Sequence, residues 1–124
     1  MVFAAIILSF FASTALAGEE ELSRAYECCV AESDGGDFSI IDCIQQELER
    51  QDARLNVAYK KLMDALDGDR KTKLREAQRA WIKFRDTYGD FLYDPDGGTL
   101  ARVKANHWHM QATADRARQL EDEL

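Results

Sequence analysis

One proline, two histidines and three cysteines are spread over 124 residues, and no segment alternates apolar and polar residues with period two. Without that alternation there is no sheet to propose. With Pro95 as its only proline, the chain leaves its long apolar-periodic stretches free to be helices. The shortage of histidine limits the chemistry as well. Nucleophilic catalysis needs a Ser or Cys near a base that a third group orients, and neither His107 nor His109 lies in such a motif. Two residues apart on a helix, they point to nearly opposite sides and make a poor metal pair. His107 is expected near the core and His109 in solvent. Adjacent Cys28 and Cys29 with a distant Cys43 lack the spacing of a zinc site. Asp94-Pro95-Asp96-Gly97 has the look of a calcium loop, but an EF-hand would need Glu where the chain has Ala105. Carboxylates are many rather than specifically paired, so glycoside hydrolysis has no signature here. The expectation is a protein that is not an enzyme and holds neither metal nor cofactor.

What is present first is a leader. Met1 to Ala17 carry no charge, run through an apolar stretch, and end in Ala15-Leu16-Ala17, the small-x-small form of a secretory cleavage site. Residues 1–17 are read as a signal peptide and residues 18–124 as one domain, periplasmic or secreted, with no stable membrane anchor after cleavage. No cysteine directly follows the cleavage site, so a lipid anchor is not indicated. Sixteen Lys and Arg against 23 Asp and Glu give a net charge of −7. That balance disfavours nucleic acid and anionic membranes and favours basic partners. In an oxidising compartment, Cys43 is expected to bond to Cys28 or Cys29, with Cys29 preferred for its place nearer the turn.

Periodicity then lays out the helices. Glu19 to Glu32 reads as a short helix, broken by Ser33-Asp34-Gly35-Gly36-Asp37. Ser39 and Asp42 stand at capping-box spacing for a start near Ile40. Ile41, Ile44, Leu48, Leu55, Tyr59, Leu62 and Leu66 then form the stripe of one long helix that stops near Asp67-Gly68. Asp69 is the expected cap of the next, from Arg70 to about Tyr88, continuing irregularly toward Tyr93. Its apolar face is read as Leu74, Ala77, Trp81, Phe84 and Tyr88. After the turn at Asp94 to Gly98, Thr99 is expected to cap a last helix carrying Leu100, Val103, His107, Met110, Ala114, Ala117 and Leu120. The fold class is therefore all-α: a small antiparallel bundle of three longer helices plus a short N-terminal one tied on by a disulfide.

Trp81, Phe84, Tyr88, Phe91, Tyr93 and Trp108 are read as core, since aromatics at helical spacing are more often packing than a ligand pocket. Arg85, Asp86 and Arg116 are candidates for locking helices together, with Asp86 pairing to Arg116 across the bundle.

Several of these residues also form an ordered set: Leu55-Asn56-x-x-Tyr59-x-x-Leu62, then Leu74-x-x-Ala77-Gln78-Arg79-x-Trp81-x-x-x-Arg85-Asp86, then Gly97-Gly98-Thr99, and Arg116 in an Ala-rich helix. The set resembles the LprI-type lysozyme-inhibitor domain, over roughly Cys29 to Leu120. The resemblance implies a small exported helical protein whose partner is a lysozyme, or another basic envelope or host protein. In that setting Asn56, Tyr59, Gln78, Trp81, Arg85, Asp86 and Arg116 are structural family residues. Relatives commonly carry a second cysteine pair at the places of Gly89 and Trp108, so Trp108 packing near Gly89 is expected to replace that staple. Because a lysozyme cleft contains catalytic carboxylates, a plug should present donors. The turn at Gly97, Gly98 and Thr99, with Arg102 and Lys104 beyond it, is the expected contact. An envelope structural or adaptor module is the alternative, and a small-ligand carrier built on the aromatics a third.

Overall fold

A computed structural model describes residues 22–124, so the leader expected at residues 1–17 lies outside the described residues. Four helices follow one another: α1 (Arg24–Glu32), α2 (Asp37–Ala65), α3 (Gly68–Leu92) and α4 (Gly98–Glu121), with no strand among the described residues. The all-α bundle is as expected, but its helix ends are set by other residues than the sequence suggested. Ser23 caps α1, its side chain accepting from the Tyr26 N–H. For α2 the expected Ser39 start is replaced by one at Asp37, with Gly36 as cap. Asp34 organises this turn instead, since its carboxylate accepts from the Gly36 N–H at 2.8 Å and the Ser39 hydroxyl at 2.6 Å. Asp67, not Asp69, caps α3, accepting from the Arg70 N–H. Thr99 does not cap α4 either; Gly97 does, without a side-chain bond. The Thr99 hydroxyl instead donates to the Asp37 carboxylate and ties the two helix starts together. Gly98 opens α4 at φ +63°, a left-handed backbone that needs glycine.

The core lies chiefly between α2 and α4. Leu55, Ala58 and Leu62 of α2 meet Ala117 and Leu120 of α4, and Tyr59, Leu74 and Trp81 pack against that cluster. The buried face of α4 is mostly small: Ala101, Ala105, Ala112, Ala114 and Ala117, with Met110 and Thr113 among them. Small side chains let helix axes come close, and α4 accordingly packs along α2 far more extensively than along α3. Ile41, Leu48 and Leu66, expected in the stripe, are only half-buried.

α1 contributes no buried side chain and is held by two attachments. One is the Cys29–Cys43 disulfide, with Cα atoms 5.7 Å apart, which leaves Cys28 free and exposed. The other is Glu47, whose fully buried carboxylate accepts from the Ser23 N–H at 2.8 Å, the Ser23 hydroxyl at 2.5 Å, Gln51 at 2.6 Å and Arg50 at 2.8 Å. Burial pushes the Glu47 carboxyl up, but the bonds from Ser23, Gln51 and Arg50 outweigh it and hold the group below its ordinary value.

Candidate functional site

The motif residues Leu55, Asn56, Tyr59, Gln78, Arg79, Trp81 and Arg85 line an open groove between α2 and α3, and Asp86 and Arg116 stand outside that lining. Asp52, Leu55, Asn56 and Tyr59 recur at three- and four-residue spacing on α2, so they share one side of it. Arg75, Gln78, Arg79, Ile82 and Arg85 do the same on α3, with Trp81 beside them, and together they bound a groove of ≈ 410 Å³. Its cause is legible in the residues. The α2 positions turned toward α3 include Asp52 and Asn56, both exposed, which cannot close a seam as leucines would.

Within the groove, Gln78 is 6% exposed and its Oε1 accepts from Arg116 Nε at 3.0 Å. A second guanidinium nitrogen of Arg116 donates to Gln119 at 2.9 Å. Burial lowers the Arg116 pKa from its ordinary value, yet an arginine remains charged at any physiological pH. Arg85 donates to its neighbour Asp86 at 2.9 Å and to the Thr113 hydroxyl at 3.4 Å. Its guanidinium carbon also lies 4.9 Å from the centre of the Trp81 ring, and that of Arg116 5.9 Å from it. The expected Asp86–Arg116 lock is therefore absent. Arg116 meets α3 at Gln78, eight residues or about 12 Å of helix before Asp86.

The aromatic stripe is displaced as well. The face of α3 turned inward runs Leu74, Gln78, Trp81, Arg85 and Gly89, the last of which is buried. Phe84 and Tyr88 stand one position to the side, and with Phe91 they are exposed at 59%, 38% and 74%. Of the expected stripe, Leu74 and Trp81 pack against the core cluster. Phe84, Tyr88 and Phe91 instead form a surface ladder with centroids 5.9 and 5.7 Å apart, and Trp108 of α4 meets Tyr88 edge-on at 4.6 Å. The Trp108 indole N–H donates to the Arg85 carbonyl at 2.8 Å.

Gly89 permits this approach of α4. A Cβ placed there would stand 3.5 Å from the Trp108 ring and 2.4 Å from His109 Nε2, so the neighbourhood of Gly89 and Trp108 is as expected. The histidines are reversed: His107 is exposed and His109 half-buried. His109 lies on the line Ala105, Thr113 and Arg116 that α4 turns inward or toward α3, and His107 is about 200° round the helix from it. Burial, with Arg85 nearby, lowers the His109 pKa against the opposing pull of Asp86, whose carboxylate is 4.0 Å away.

Beyond the C-terminal end of α3, the Gly97-Gly98 turn borders a hollow in which the expected contact residues Gly98, Thr99 and Arg102 are joined by one residue that sequence reasoning did not single out, Phe38. Phe38 from α2 joins Tyr93, Asp94, Pro95, Gly98, Thr99 and Arg102 around a shallow hollow of ≈ 320 Å³. Phe38, Leu100 and Tyr93 are exposed at 67%, 71% and 43%. Arg102 Nε donates to the Tyr93 hydroxyl at 3.2 Å, which props the guanidinium at the rim. The turn itself is stiff, for Asp94 accepts from the Asp96 and Gly97 N–H groups at 2.9 and 3.0 Å. A Cβ at Gly97 would lie 2.7 Å from that of Ala101. Lys104 falls about 200° round α4 from Arg102 and does not share the hollow. Arg102 is legible in the sequence, but the exposure of Phe38 and Leu100 depends on which faces the bundle leaves uncovered.

Among the described residues, no group of three or more His, Cys, Asp or Glu side chains could hold a metal ion. No helix there is long and apolar enough to cross a membrane. Compared with known proteins, residues 28–120 match the family model described as Lysozyme inhibitor LprI. That span includes both the groove and the turn. Neither the curated proteins nor the solved structures give a match.

Proposed function

The chain belongs to the LprI lysozyme-inhibitor family, and from that premise we propose that it is an exported inhibitor that binds a lysozyme through the end of the bundle formed by the Gly97-Gly98 turn. The observation that carries this reading is the pair of exposed aromatic side chains, Phe38 and Tyr93, that line the hollow at a stiff turn bearing Arg102, with exposed Leu100 two residues beyond Gly98. Contiguous exposed apolar surface marks contact sites, and aromatic and arginine side chains carry most binding energy in protein interfaces. The terminal guanidinium nitrogens of Arg102 have no partner among the described residues. They are free to donate to a cleft carboxylate in the bidentate manner. The net charge of −7 would steer the chain toward a basic lysozyme, while Arg102 supplies the one local donor the cleft requires.

A turbidity assay of lysozyme on bacterial cells, with mature protein titrated in, tests the reading. Dose-dependent protection is expected, and Leu100→Asp and Arg102→Ala should each raise the half-inhibitory concentration about tenfold. Inhibition that both variants retain in full would move the contact surface elsewhere. Absence of protection, with a specific envelope protein recovered in its place, would favour an adaptor. Mass spectrometry of the exported protein should find an N-terminus at Gly18.

A further inference from the structure

We propose that the α2–α3 groove binds an acidic peptide segment of a partner protein, held by Arg75, Arg79 and the side-chain amide of Gln78. The proposal does not rest on lysozyme binding, for a concave groove cannot plug a concave cleft.

Cationic donors outnumber carboxylates in the groove lining. Gln78 is more than nine-tenths buried, and its oxygen is occupied by Arg116. Its NH2 group has no hydrogen-bond partner among the described residues, yet the side chain lines the groove. No buried side-chain nitrogen or oxygen among the described residues lacks a partner, so this amide nitrogen is open to water in the groove, and a ligand acceptor there would take the water's place. Arg75 and Arg79 are exposed at the rim and likewise make no hydrogen bond or ion pair among the described residues. Arg85, by contrast, is engaged by Asp86 and Thr113 and serves to hold Trp81. Among the described residues, Asp52 is the only acid lining the groove. The wider field agrees, since α3 carries seven Lys and Arg against four Asp and Glu, a net 7 − 4 = +3 on a chain of −7.

Spacing selects the kind of acid. Arg75 and Arg79 are one helical turn apart, about 6 Å along the axis. Alternate side chains of an extended peptide lie about 6.7 Å apart on one face, so carboxylates at every second residue meet both guanidiniums. The aliphatic side chains of the lining, Leu55 and Ile82, suit the intervening backbone. A sugar ring fits less well, because Arg85 already lies over the Trp81 ring on which it would stack.

The test is fluorescence anisotropy with a labelled synthetic peptide alternating Glu and Ser, against its Gln-Ser counterpart, using the mature protein. Arg79→Glu is compared with Lys83→Glu, which makes the same charge change one turn further along α3 and outside the groove lining. Both side chains are exposed, and far-ultraviolet circular dichroism should show unchanged helix. Arg79→Glu should weaken binding of the acidic peptide at least about tenfold, Lys83→Glu less than about twofold. In the amide spectrum, the Gln78 side-chain resonances should shift on titration. Equal losses in the two variants would reduce the effect to general charge, and an unmoved Gln78 amide would place the peptide elsewhere; either overturns the proposal. Tighter binding of an oligogalacturonate would assign the groove to an acidic saccharide instead and overturn it too.

Discussion

Replacing Glu47 by Gln keeps the volume of a fully buried side chain while removing its charge, and it acts where α1 is weakest. α1 buries none of its own residues, so its docking depends on the Cys29–Cys43 bond and on the Glu47 carboxylate that receives both donors of Ser23. Of the four bonds that Glu47 accepts, a carboxamide can keep those from the Ser23 N–H and Gln51 through its oxygen. Its NH2 would face Arg50, and the Ser23 hydroxyl would have to reverse. A hydrogen bond to a charged group contributes about 1.5–3 kcal/mol, and Arg50 is partly exposed and can turn to water. The expected loss is therefore about 2 kcal/mol, felt as local opening of α1 rather than as global unfolding.

Amide hydrogen exchange with the disulfide intact measures that opening. Near neutrality, amides of Glu27 to Glu32 in Glu47→Gln should exchange about 30-fold faster than in the wild type, the ratio for 2 kcal/mol. The sign with pH follows from the lowered Glu47 pKa. A carboxyl held below its unfolded value contributes its full stability above that value and loses it as pH falls through the folded one. The ratio of variant to wild type should thus shrink toward unity on acidification. Equal exchange near neutrality, or a ratio independent of pH, would refute the assignment of Glu47 as the clasp of α1.

Three further outcomes are expected of the scaffold. Trp108→Ala removes the indole bond to the Arg85 carbonyl and the edge contact on Tyr88; a loss of about 2 kcal/mol should lower the melting temperature by about 8–15 °C, and an unchanged melt would end its reading as a substitute for a staple. Gly89→Ala places a methyl 2.4 Å from His109 Nε2, an overpacking cost of about 1–3 kcal/mol that His109→Ala should relieve in a double-mutant cycle; additive losses would show that the clash is not with that ring. Cys29→Ser should cost about 3 kcal/mol in chemical denaturation, while native wild-type protein should take up one maleimide per chain at Cys28; labelling of two or more thiols would contradict the pairing.

The helices, the turns and the disulfide were legible because each rests on local signals: apolar spacing, Gly-Asp clusters, and the distance of Cys43 from a turn. What was misread depends on how the helices face one another. In α3, two stripes one position apart compete for the core, Leu74-Ala77-Trp81-Phe84-Tyr88 and Leu74-Gln78-Trp81-Arg85-Gly89. Hydrophobicity favours the first. The bundle buries the second, because α4 approaches α3 at Gly89 and brings the Thr113 hydroxyl and Arg116 to meet Arg85 and Gln78. The same choice puts His109 inward, His107 outward, and the Phe84 ladder in solvent. Helix caps failed for a related reason: Ser39 and Thr99 have cap chemistry, but their hydroxyls are drawn to Asp34 and Asp37 across the turns. Of the candidate site, the motif residues were found and their clustering was not, since a groove is a property of two faces that fail to close.

That failure to close has a single origin in composition. Alanines on α4 draw it onto α2, and α3 packs against the shared apolar cluster through Leu74 and Trp81. Along the rest of the α2–α3 seam, Asp52 and Asn56 face Arg75, Arg79 and Arg85, so hydration competes with closure and the groove stays open. The turn is a separate construction, because Tyr93 lies fourteen residues beyond Arg79, about 21 Å along the axis. Substitutions that far apart, with no shared partner, act independently. Arg102→Ala should therefore leave acidic-peptide binding unchanged, and Arg79→Glu should leave lysozyme inhibition unchanged apart from electrostatic steering, which added salt removes. If each variant instead impaired both activities at high salt, the two surfaces would be one extended interface, and the division drawn between a donor-bearing tip and a carboxylate-binding groove would fail.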